Sequence, residues 1–343
     1  MKRILLALLA LSIGIIAVAA VWLLLGAEKP HKGYEASEQF VEIPPGAGPA
    51  TIGRRLTQAG VVRDEISFRV ALWRSGQARR LQAGEYRFDR PMSARQVIDT
   101  LARGEVFLRA VTFPEGLTIR QMSLIYQRAG LGTAAEFVHA SQDATLIHEV
   151  DPAAQDLEGY LFPNTYTLPR TTSADQLVQK MVTAFRDALT PDIVDRAAAR
   201  GLTARQLVAL ASLVEKETGK PEERSVVAAV YSNRLKVGMP MQADPTVIYA
   251  LERVGKYDGN LTRDDLRFDS AYNTYRYPGL PPGPIASPGQ ASLQAAADPA
   301  DVPYIYFVSR NDGSHVFSTT LDEHNKNVFE YQVKRFRKGE AGK

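Results

Sequence analysis

The sequence predicts an α+β protein: an N-terminal transmembrane helix, then small strand–helix modules, then a mixed α+β domain. Three observations support this. Residues 4–26 carry no charge, short strands followed by amphipathic helices recur after them, and capped helices then alternate with a Pro- and Gly-rich loop and a hairpin. With 343 residues, 45% of them hydrophobic, the chain is long enough for two or three domains with sizeable cores.

The uncharged stretch at the N-terminus is long enough to cross a bilayer as a helix. Ala17-Val18-Ala19 resembles a signal-peptide cleavage site, but the apolar run is longer than is usual in a signal peptide, which favours an uncleaved anchor. Lys2 and Arg3 precede the run, so the positive-inside rule places the N-terminus in the cytoplasm. We therefore expect an anchor over residues 1–27, a tether over 28–39 and a periplasmic remainder.

Composition excludes several classes of site. The chain has no cysteine, and its five histidines are scattered without the spacing of metal ligands, so neither a disulfide nor a metal site is expected. No P-loop, dinucleotide fingerprint or Gly-x-Ser-x-Gly elbow is present, so no cofactor is expected. The net charge is only +3, and the basic run at 334–338 is typical of a solvated helix end, so no nucleic acid partner is expected.

An internal repeat follows the tether. Val41–Gly46 and Val111–Gly116 lie 70 residues apart, and in both a short strand meets Pro-x-Gly and precedes an amphipathic helix. A related strand–helix unit between them contains Ser93 and Gln96 in a capping-box pattern. Modules of this kind either serve packing alone or bind glycan, and both interpretations stay open.

The central feature of the chain is a helix over Thr203–Gly219. Thr203 and Gln206 form a capping-box pattern, and a glycine and a proline end the helix. Its last turn carries Glu215 and Glu217, which lie about 200° apart around a helix axis and so cannot act together on one bond. Apolar neighbours favour the protonated form of a carboxyl group, which suits a general acid. Alternatively, both glutamates are solvated residues at a helix end.

Two segments offer polar and aromatic side chains for a binding groove. Leu157–Leu168 alternates the two types around a proline, which either shows its tyrosines to a groove or buries them in the core. Tyr272–Gly289 is rich in proline and glycine, which fix an irregular path. Asp244, before a proline, is expected either to cap a helix or to contact substrate. The candidates for substrate contacts are Tyr160, Asn164, Gln242, Asp244, Asn273 and Tyr275.

Several ordered motifs together resemble one known family. They are Val208-Ala-Leu-Ala-Ser-Leu-Val-Glu-Lys-Glu-Thr218, Asn233-Arg-Leu-Lys-Val-Gly-Met, Gln242-Ala-Asp-Pro-Thr-Val-Ile-Tyr, Ala271-Tyr-Asn-Thr-Tyr and Gly279-Leu-Pro-Pro-Gly-Pro-Ile-Ala-Ser-Pro-Gly. With Tyr304-Ile-Tyr-Phe-Val they resemble the MltG (YceG-like) family of endolytic murein transglycosylases. The resemblance runs from about Val41 to the C-terminus.

The resemblance implies a single-pass inner-membrane protein with a LysM-like part over residues 40–150 and a catalytic domain over 151–343. It implies a lyase that cleaves the β-1,4 bond between N-acetylmuramic acid and N-acetylglucosamine in nascent strands and leaves a 1,6-anhydro end, which would terminate elongation. The family's catalytic glutamate falls on Glu215. Expected partners are peptidoglycan strands, the inner membrane and, as candidates, peptidoglycan synthases. The alternative is a non-catalytic periplasmic protein that binds glycan or assists assembly.

Overall fold

The computed structural model describes Gly14 and residues 28–334. The predicted transmembrane segment therefore lies outside the described residues, except for Gly14. Within the described part, no helix combines the length and the apolar character needed to span a bilayer. That part contains twelve α-helices and three two-stranded sheets, so the mixed α+β class is confirmed.

The chain divides into two compact units, the first formed by Met1–Ala110 with Thr167–Thr172 and the second by Val111–Tyr166 with Ser173–Lys343. The predicted domain boundary at residue 150 thus lies inside the second unit. The turn of the second repeat copy contacts the predicted catalytic helix, since Lys216 Nζ donates to Gly116 O at 3.1 Å.

In the first unit, an antiparallel strand pair and three helices enclose one core. The elements are β1 (Gln39–Ile43), α1 (Pro49–Gln58), α2 (Glu65–Ser75), β2 (Gly84–Phe88) and α3 (Ala94–Arg103). Val41 lies opposite Tyr86 in the β1–β2 register, and both side chains are buried. The predicted tether is partly fixed to this unit, because backbone N–H groups of His31 and Gly33 donate to the carbonyls of Met92 and Gly60.

The predicted repeat corresponds to repeated structure. Helix α1 of the first copy matches α4 (Ile119–Arg128) of the second at the same offset of 70 residues. The turns before the two helices place Gly46 and Gly116 at φ +74°, a left-handed conformation that favours glycine. The second copy begins with β3 (Leu108–Thr112), and the two units divide within this strand, after Ala110. The helix of the first copy therefore lies in the first unit and that of the second copy in the second unit.

The second unit is mainly helical. Strand β4 (Thr165–Pro169), which pairs with β3, is divided between the two units. The other elements after α4 belong to the second unit: α5 (Ala134–Ala140), α6 (Ala174–Ala188), α7 (Pro191–Ala199), α8 (Ala204–Glu217), α9 (Arg224–Lys236), α10 (Asp244–Arg253), α11 (Gln290–Ala297), β5 (Tyr306–Ser309), β6 (His315–Ser318) and α12 (Leu321–Val328). The predicted hairpin is confirmed, since β5 pairs antiparallel with β6.

Helix α8 lies at the centre of the second unit. Every residue from Leu207 to Val214 is buried, because α9, α10 and α11 pack around it. The predicted capping box is present: Gln206 N–H donates to Thr203 Oγ1 at 3.2 Å and Thr203 N–H to Gln206 Oε1 at 2.9 Å. The helix therefore has a fixed start inside a packed core, and its last turn holds the two glutamates in defined positions.

Candidate functional site

The two glutamates at the end of α8 point into different surroundings, as their spacing predicts. Glu215 lies in a cluster of charged groups. Its side chain is 7% exposed, and Arg224 Nη2 lies 3.5 Å from its Oε1. The backbone N–H of Gly289 donates to its Oε2 at 3.0 Å. Both carboxylate oxygens of Glu215 therefore already have a donor or a cation beside them.

A second carboxyl group, Glu115, completes this cluster. Its Oε2 lies 3.5 Å from Arg224 Nη2, so one guanidinium group contacts two carboxyl groups. Burial raises the pKa of Glu115, the charge of Glu215 raises it further, and Arg224 lowers it. Glu115 also packs on Gly289, where an added Cβ would lie 1.8 Å from Glu115 Oε1. Only a glycine fits at that position without displacing the carboxyl group.

The turn of the second repeat copy contacts the Pro- and Gly-rich loop beside this cluster. Gly116 N–H donates to Ser287 O at 2.8 Å, and Ser287 N–H donates to Leu117 O at 2.9 Å. Lys216 Nζ, from the last turn of α8, donates to Gly116 O at 3.1 Å. These bonds join three segments that are distant in sequence at the C-terminal end of α8.

Glu217 lines a cavity of about 260 Å³ on another side of the helix. The cavity is also lined by Arg234, Met241, Gln242, Asp244, Tyr275, Phe307 and His324. Tyr231 Oη donates to Glu217 Oε1 at 2.7 Å. Burial raises the pKa of Glu217 to about 7, although the hydrogen bond from Tyr231 opposes the shift. Near neutral pH, this carboxyl group is able both to release and to accept a proton.

Three of the predicted contact residues meet in this cavity. Tyr275 Oη donates to Asp244 Oδ1 at 2.5 Å, and burial with the Asp244 charge raises the pKa of Tyr275. Gln242 has φ +51°, an uncommon backbone conformation for a residue other than glycine. The expectation that Asp244 caps a helix is wrong, because the N-cap of α10 is Ala243 and no side chain caps it. The carboxylate of Asp244 instead faces the cavity and the tyrosine.

Two other predicted contacts have structural surroundings instead. Asn273 is fully buried: its Nδ2 donates to the carbonyls of Leu266 and Phe268, and its Oδ1 accepts from Tyr275 N–H. Tyr160 is 2% exposed and its Oη donates to Asp151 Oδ2 at 2.5 Å. Asn273 thus uses its amide group within the core, whereas Tyr160, although nearly buried, also lines a cavity of about 390 Å³.

Asn164 and Tyr166 from the same predicted groove segment differ in burial. Tyr166 is buried, and its Oη donates to Phe162 O. Asn164 is exposed, and its Oδ1 accepts from Thr165 N–H at 2.7 Å. Within this segment the core interpretation therefore fits Tyr166, while Asn164 faces solvent.

A second cavity, of about 390 Å³, lies at the N-terminal end of α8 and is lined by Arg205, Arg253 and Tyr272 among others. Ten residues of helix, about 15 Å, separate Arg205 from Glu215. The wall of this second cavity includes Glu158. Its Oε1 accepts from Ile119 N–H at 3.0 Å, and its Oε2 accepts from Tyr249 Oη at 3.4 Å. Burial raises the pKa of Glu158 to about 8. This carboxyl group links α4 to α10.

Sequence reasoning did not find the residues that define the surroundings of the two glutamates. Glu115 lies in the second copy of the repeat and Arg234 in the Asn233-Arg-Leu-Lys motif, but neither pattern indicates a position beside a glutamate of α8, and Arg224 and Tyr231 lie outside the quoted motifs. The one available signal was the pair of carboxyl groups two residues apart, which indicated two separate surroundings. Among residues 28–334, no group of three or more histidine, aspartate and glutamate side chains is arranged to hold a metal ion.

Comparisons with known proteins agree with this architecture. The family model described as YceG-like family matches residues 41–330. The chain is 32% identical over 302 residues to an endolytic murein transglycosylase of Bacillus subtilis strain 168, covering 83% of this chain and 82% of that protein. It is 31% identical over 321 residues to an endolytic murein transglycosylase of Streptococcus pneumoniae strain D39, covering 85% of this chain and 58% of that longer protein.

A solved structure has the same fold. The crystal structure of a yceG-like protein from Listeria monocytogenes superposes with a TM-score of 0.57 at 31% sequence identity, covering 84% of this chain and 98% of that one. The family match spans most of the sequence, and residues 41–330 include α8 and the loops around its glutamates. The chain belongs to the YceG-like family.

Proposed function

We propose that this protein is an endolytic murein transglycosylase. It cleaves the β-1,4 bond between N-acetylmuramic acid and N-acetylglucosamine within nascent glycan strands and leaves a 1,6-anhydro-N-acetylmuramic acid end, which terminates elongation. The names of the relatives support this activity. The observation that carries it is the position of the Glu217 carboxyl group in a cavity lined by amide, carboxyl and phenol groups, with Tyr231 Oη donating to it at 2.7 Å and burial raising its pKa.

One carboxyl group is sufficient for this reaction. In its protonated form it donates to the glycosidic oxygen as the bond from that oxygen to C1 breaks. The resulting carboxylate takes the proton of the muramic acid 6-hydroxyl while that oxygen bonds to C1. Atoms balance without water, and the carboxyl group ends protonated, ready for the next cycle.

Glu215 and Glu217 are the two candidates for this group. The family resemblance indicates Glu215, which is enclosed as the chemistry requires. Its contacts with Arg224 and Gly289 N–H, however, are those of a carboxylate fixed in a structural cluster. Glu217 instead has a neutral phenol donor and an open cavity beside it. We therefore assign proton transfer to Glu217 and the anchoring of the helix end to Glu215.

Glutamine variants separate the two assignments. We expect Glu217→Gln to lower the rate of anhydro-end formation by about 10²-fold or more while the melting temperature stays close to that of the parent. The assay is mass spectrometry of digested glycan, in which hydrolysis would give ends heavier by one water. Glu222→Gln, at an exposed position after α8, is the matched control.

Each other outcome has a definite meaning. If Glu215→Gln folds but abolishes the product while Glu217→Gln keeps it, the assignment to Glu217 is wrong and that of the family motif is right. If both variants fold and give unchanged product, neither glutamate is catalytic. The alternative of a non-catalytic glycan-binding or assembly protein then gains support.

We further propose that residues 4–26 anchor the protein in the inner membrane with a cytoplasmic N-terminus and a periplasmic chain after it. The region over residues 40–150, which contains both copies of the strand–turn–helix arrangement, is proposed to be LysM-like and to bind glycan. Peptidoglycan synthases are candidate partners, because a cut in a nascent strand is made where strands are synthesised. Extraction of the full chain from membranes by detergent but not by alkaline carbonate tests the anchor.

A further inference from the structure

Helix α2 in the first unit has apolar side chains on two opposite faces. On the inner face Phe68 and Leu72 are 0% and 2% exposed and belong to the core. On the outer face Ile66 is 60% and Trp73 83% exposed, and the partly exposed Val70 lies between them. These three have the i, i+4, i+7 spacing of one helical stripe. We call the stripe of Ile66, Val70 and Trp73 the outer face.

Arginines border the outer face on both sides. At about 100° per residue, Arg69 lies about 60° to one side of Ile66, and Arg74 lies about 80° to the other side. Arg79 and Arg80 are exposed in the turn that follows the helix. A tryptophan-containing apolar stripe between cationic side chains is typical of a helix that lies in the headgroup region of a membrane.

The acidic groups near this helix leave the outer face apolar and cationic. Asp64 is used at the N-cap, where it accepts from Ser67 N–H. Glu65 is in the first turn, where an acidic side chain suits the helix dipole. Asp99, on α3, accepts from Gln77 Nε2 at 2.7 Å. None of these three belongs to the apolar stripe. A fourth acidic group, Glu28, lies 3.9 Å from Arg74 Nη1, so the charge beside the stripe depends mainly on Arg69, Arg79 and Arg80.

The predicted anchor ends beside this helix. Glu28 follows residues 4–26 after a single intervening residue, and its Oε1 lies 3.9 Å from Arg74 Nη1. Two residues of chain span at most about 7 Å, so Arg74 is close to the point where the anchor would leave the bilayer. The hydrogen bond from His31 N–H to Met92 O at 2.9 Å then fixes the following segment to the first unit.

We propose that the outer face of α2 lies in the headgroup region of the membrane that holds the anchor, with its arginines on anionic phospholipid headgroups. This inference rests on the proposed anchor. In this arrangement the membrane covers the exposed apolar side chains of the outer face. The headgroup region suits tryptophan, because the ring contacts apolar chains while its N–H contacts polar groups. The opposite charges of the arginines and the lipid phosphates add attraction near the surface.

An exposed tryptophan is also able to stack on a sugar ring. The arginines on both sides of the stripe and the closeness of Glu28 to Arg74 favour the lipid surface instead, because anionic headgroups would lie beside the end of the proposed anchor and attract a row of cations. The experiment below includes glycan binding as one of its outcomes.

The test uses the fluorescence of Trp73 in the full chain. The protein has two tryptophans, so Trp22→Phe leaves Trp73 alone. The variant is reconstituted in bilayer nanodiscs of phosphatidylethanolamine with phosphatidylglycerol, with and without brominated acyl chains. We expect brominated lipid to quench Trp73 roughly two-fold and its emission to lie at shorter wavelength than that of an indole in water. The additional changes Arg69→Gln, Arg79→Gln and Arg80→Gln should reduce the quenching.

A matched control places the probe elsewhere in the same unit. Leu108 is 44% exposed, and Leu108→Trp with Trp22→Phe and Trp73→Phe moves the only tryptophan to β3. We expect less quenching by brominated lipid at this position than at Trp73. Equal quenching at both positions would overturn the inference, because it would show no preferred face.

The remaining outcomes separate this inference from the proposals on which it rests. A chain that does not co-purify with the discs overturns the anchor and the inference together. A chain that co-purifies, but whose Trp73 is quenched by aqueous acrylamide and not by brominated lipid, overturns the inference alone. A Trp73 signal that responds to added N-acetylglucosamine oligomers and not to brominated lipid assigns the outer face to glycan. The transglycosylase assay enters none of these outcomes.

Discussion

At the scale of single residues, two carboxyl groups two positions apart on the last turn of α8 have different surroundings, because a helix turns about 100° per residue. Glu215 contacts a guanidinium group and a backbone N–H, whereas Glu217 contacts a phenol and a cavity. Burial raises the pKa of Glu217 to about 7, where a proton is exchanged most readily at neutral pH. The surroundings of each side chain, and not its residue type, support the assignment of roles.

The pH profile tests this assignment. The reaction begins with a protonated Glu217, so kcat/KM should fall as pH rises above about 7. The hydrogen bond from Tyr231 lowers the pKa of Glu217, so Tyr231→Phe should raise that pKa and shift the alkaline limb upward by about half a unit to one unit. Tyr275→Phe is the control: it removes a phenol that donates to Asp244 and not to Glu217, so the alkaline limb of the pH profile should stay in place. A limb that stays in place in Tyr231→Phe would argue for another acid.

The two asparagines predicted to hold sugar should differ in stability and not in activity. Asn273→Ala removes two donors and one acceptor from a fully buried site and leaves two carbonyls and an N–H unpaired. We expect a loss of about 2–4 kcal/mol in the free energy of unfolding. Asn164→Ala, at an exposed position, should change it by less than about 0.5 kcal/mol. Urea denaturation measures both, and equal effects would contradict the structural role of Asn273.

At the scale of elements, the end of α8 is held by loops that come from distant parts of the chain. The turn of the second repeat copy and the Pro- and Gly-rich loop bind each other through Gly116 and Ser287. Gly289, at the N-cap of α11, joins that loop to Glu215. The first copy of the repeat thus belongs to the core of the first unit, whereas the second copy contributes Glu115 and Gly116 to the candidate site.

Gly289→Ala tests the packing of these loops. Its Cβ would lie 1.8 Å from Glu115 Oε1, so the carboxyl group must move and the hydrogen bond to Glu215 must lengthen. We expect a loss of about 1–3 kcal/mol in the free energy of unfolding, measured by thermal melting. Gly219→Ala is the control, because a Cβ there meets nothing within 4 Å. If the two variants have the same melting temperature, Glu115 does not pack on Gly289 in solution.

At the scale of the whole molecule, the second unit folds with two buried carboxyl groups whose pKa values are raised. The pKa of Glu158 is about 8 and that of Glu217 about 7, both above the ordinary value of 4.5. The folded state therefore keeps protons that the unfolded state releases. The stability from this source is fully present below about pH 4.5 and is lost as pH rises through 7 and 8.

Stability should consequently fall from pH 6 to pH 9. Each such group contributes a slope of at most about 1.4 kcal/mol per pH unit. Glu158→Gln keeps an acceptor for Ile119 N–H without a titrating proton, so the variant should lose less stability than the parent between these pH values. Guanidinium chloride denaturation at several pH values measures the slopes. Parallel slopes for parent and variant would show that Glu158 does not titrate in this range.

The sequence by itself determined the features that depend on neighbouring residues: the capping box of α8, the hairpin of β5 and β6, the repeat with its left-handed glycines, and the family. Each is set by local backbone geometry or by an ordered motif. Only the tertiary structure decided which glutamate faces a cavity, that Asp244 binds Tyr275, that Asn273 and Tyr160 are buried, and that the units divide near residue 110. These depend on contacts such as that of Gly289 with Glu215, 74 residues apart, which no local pattern encodes.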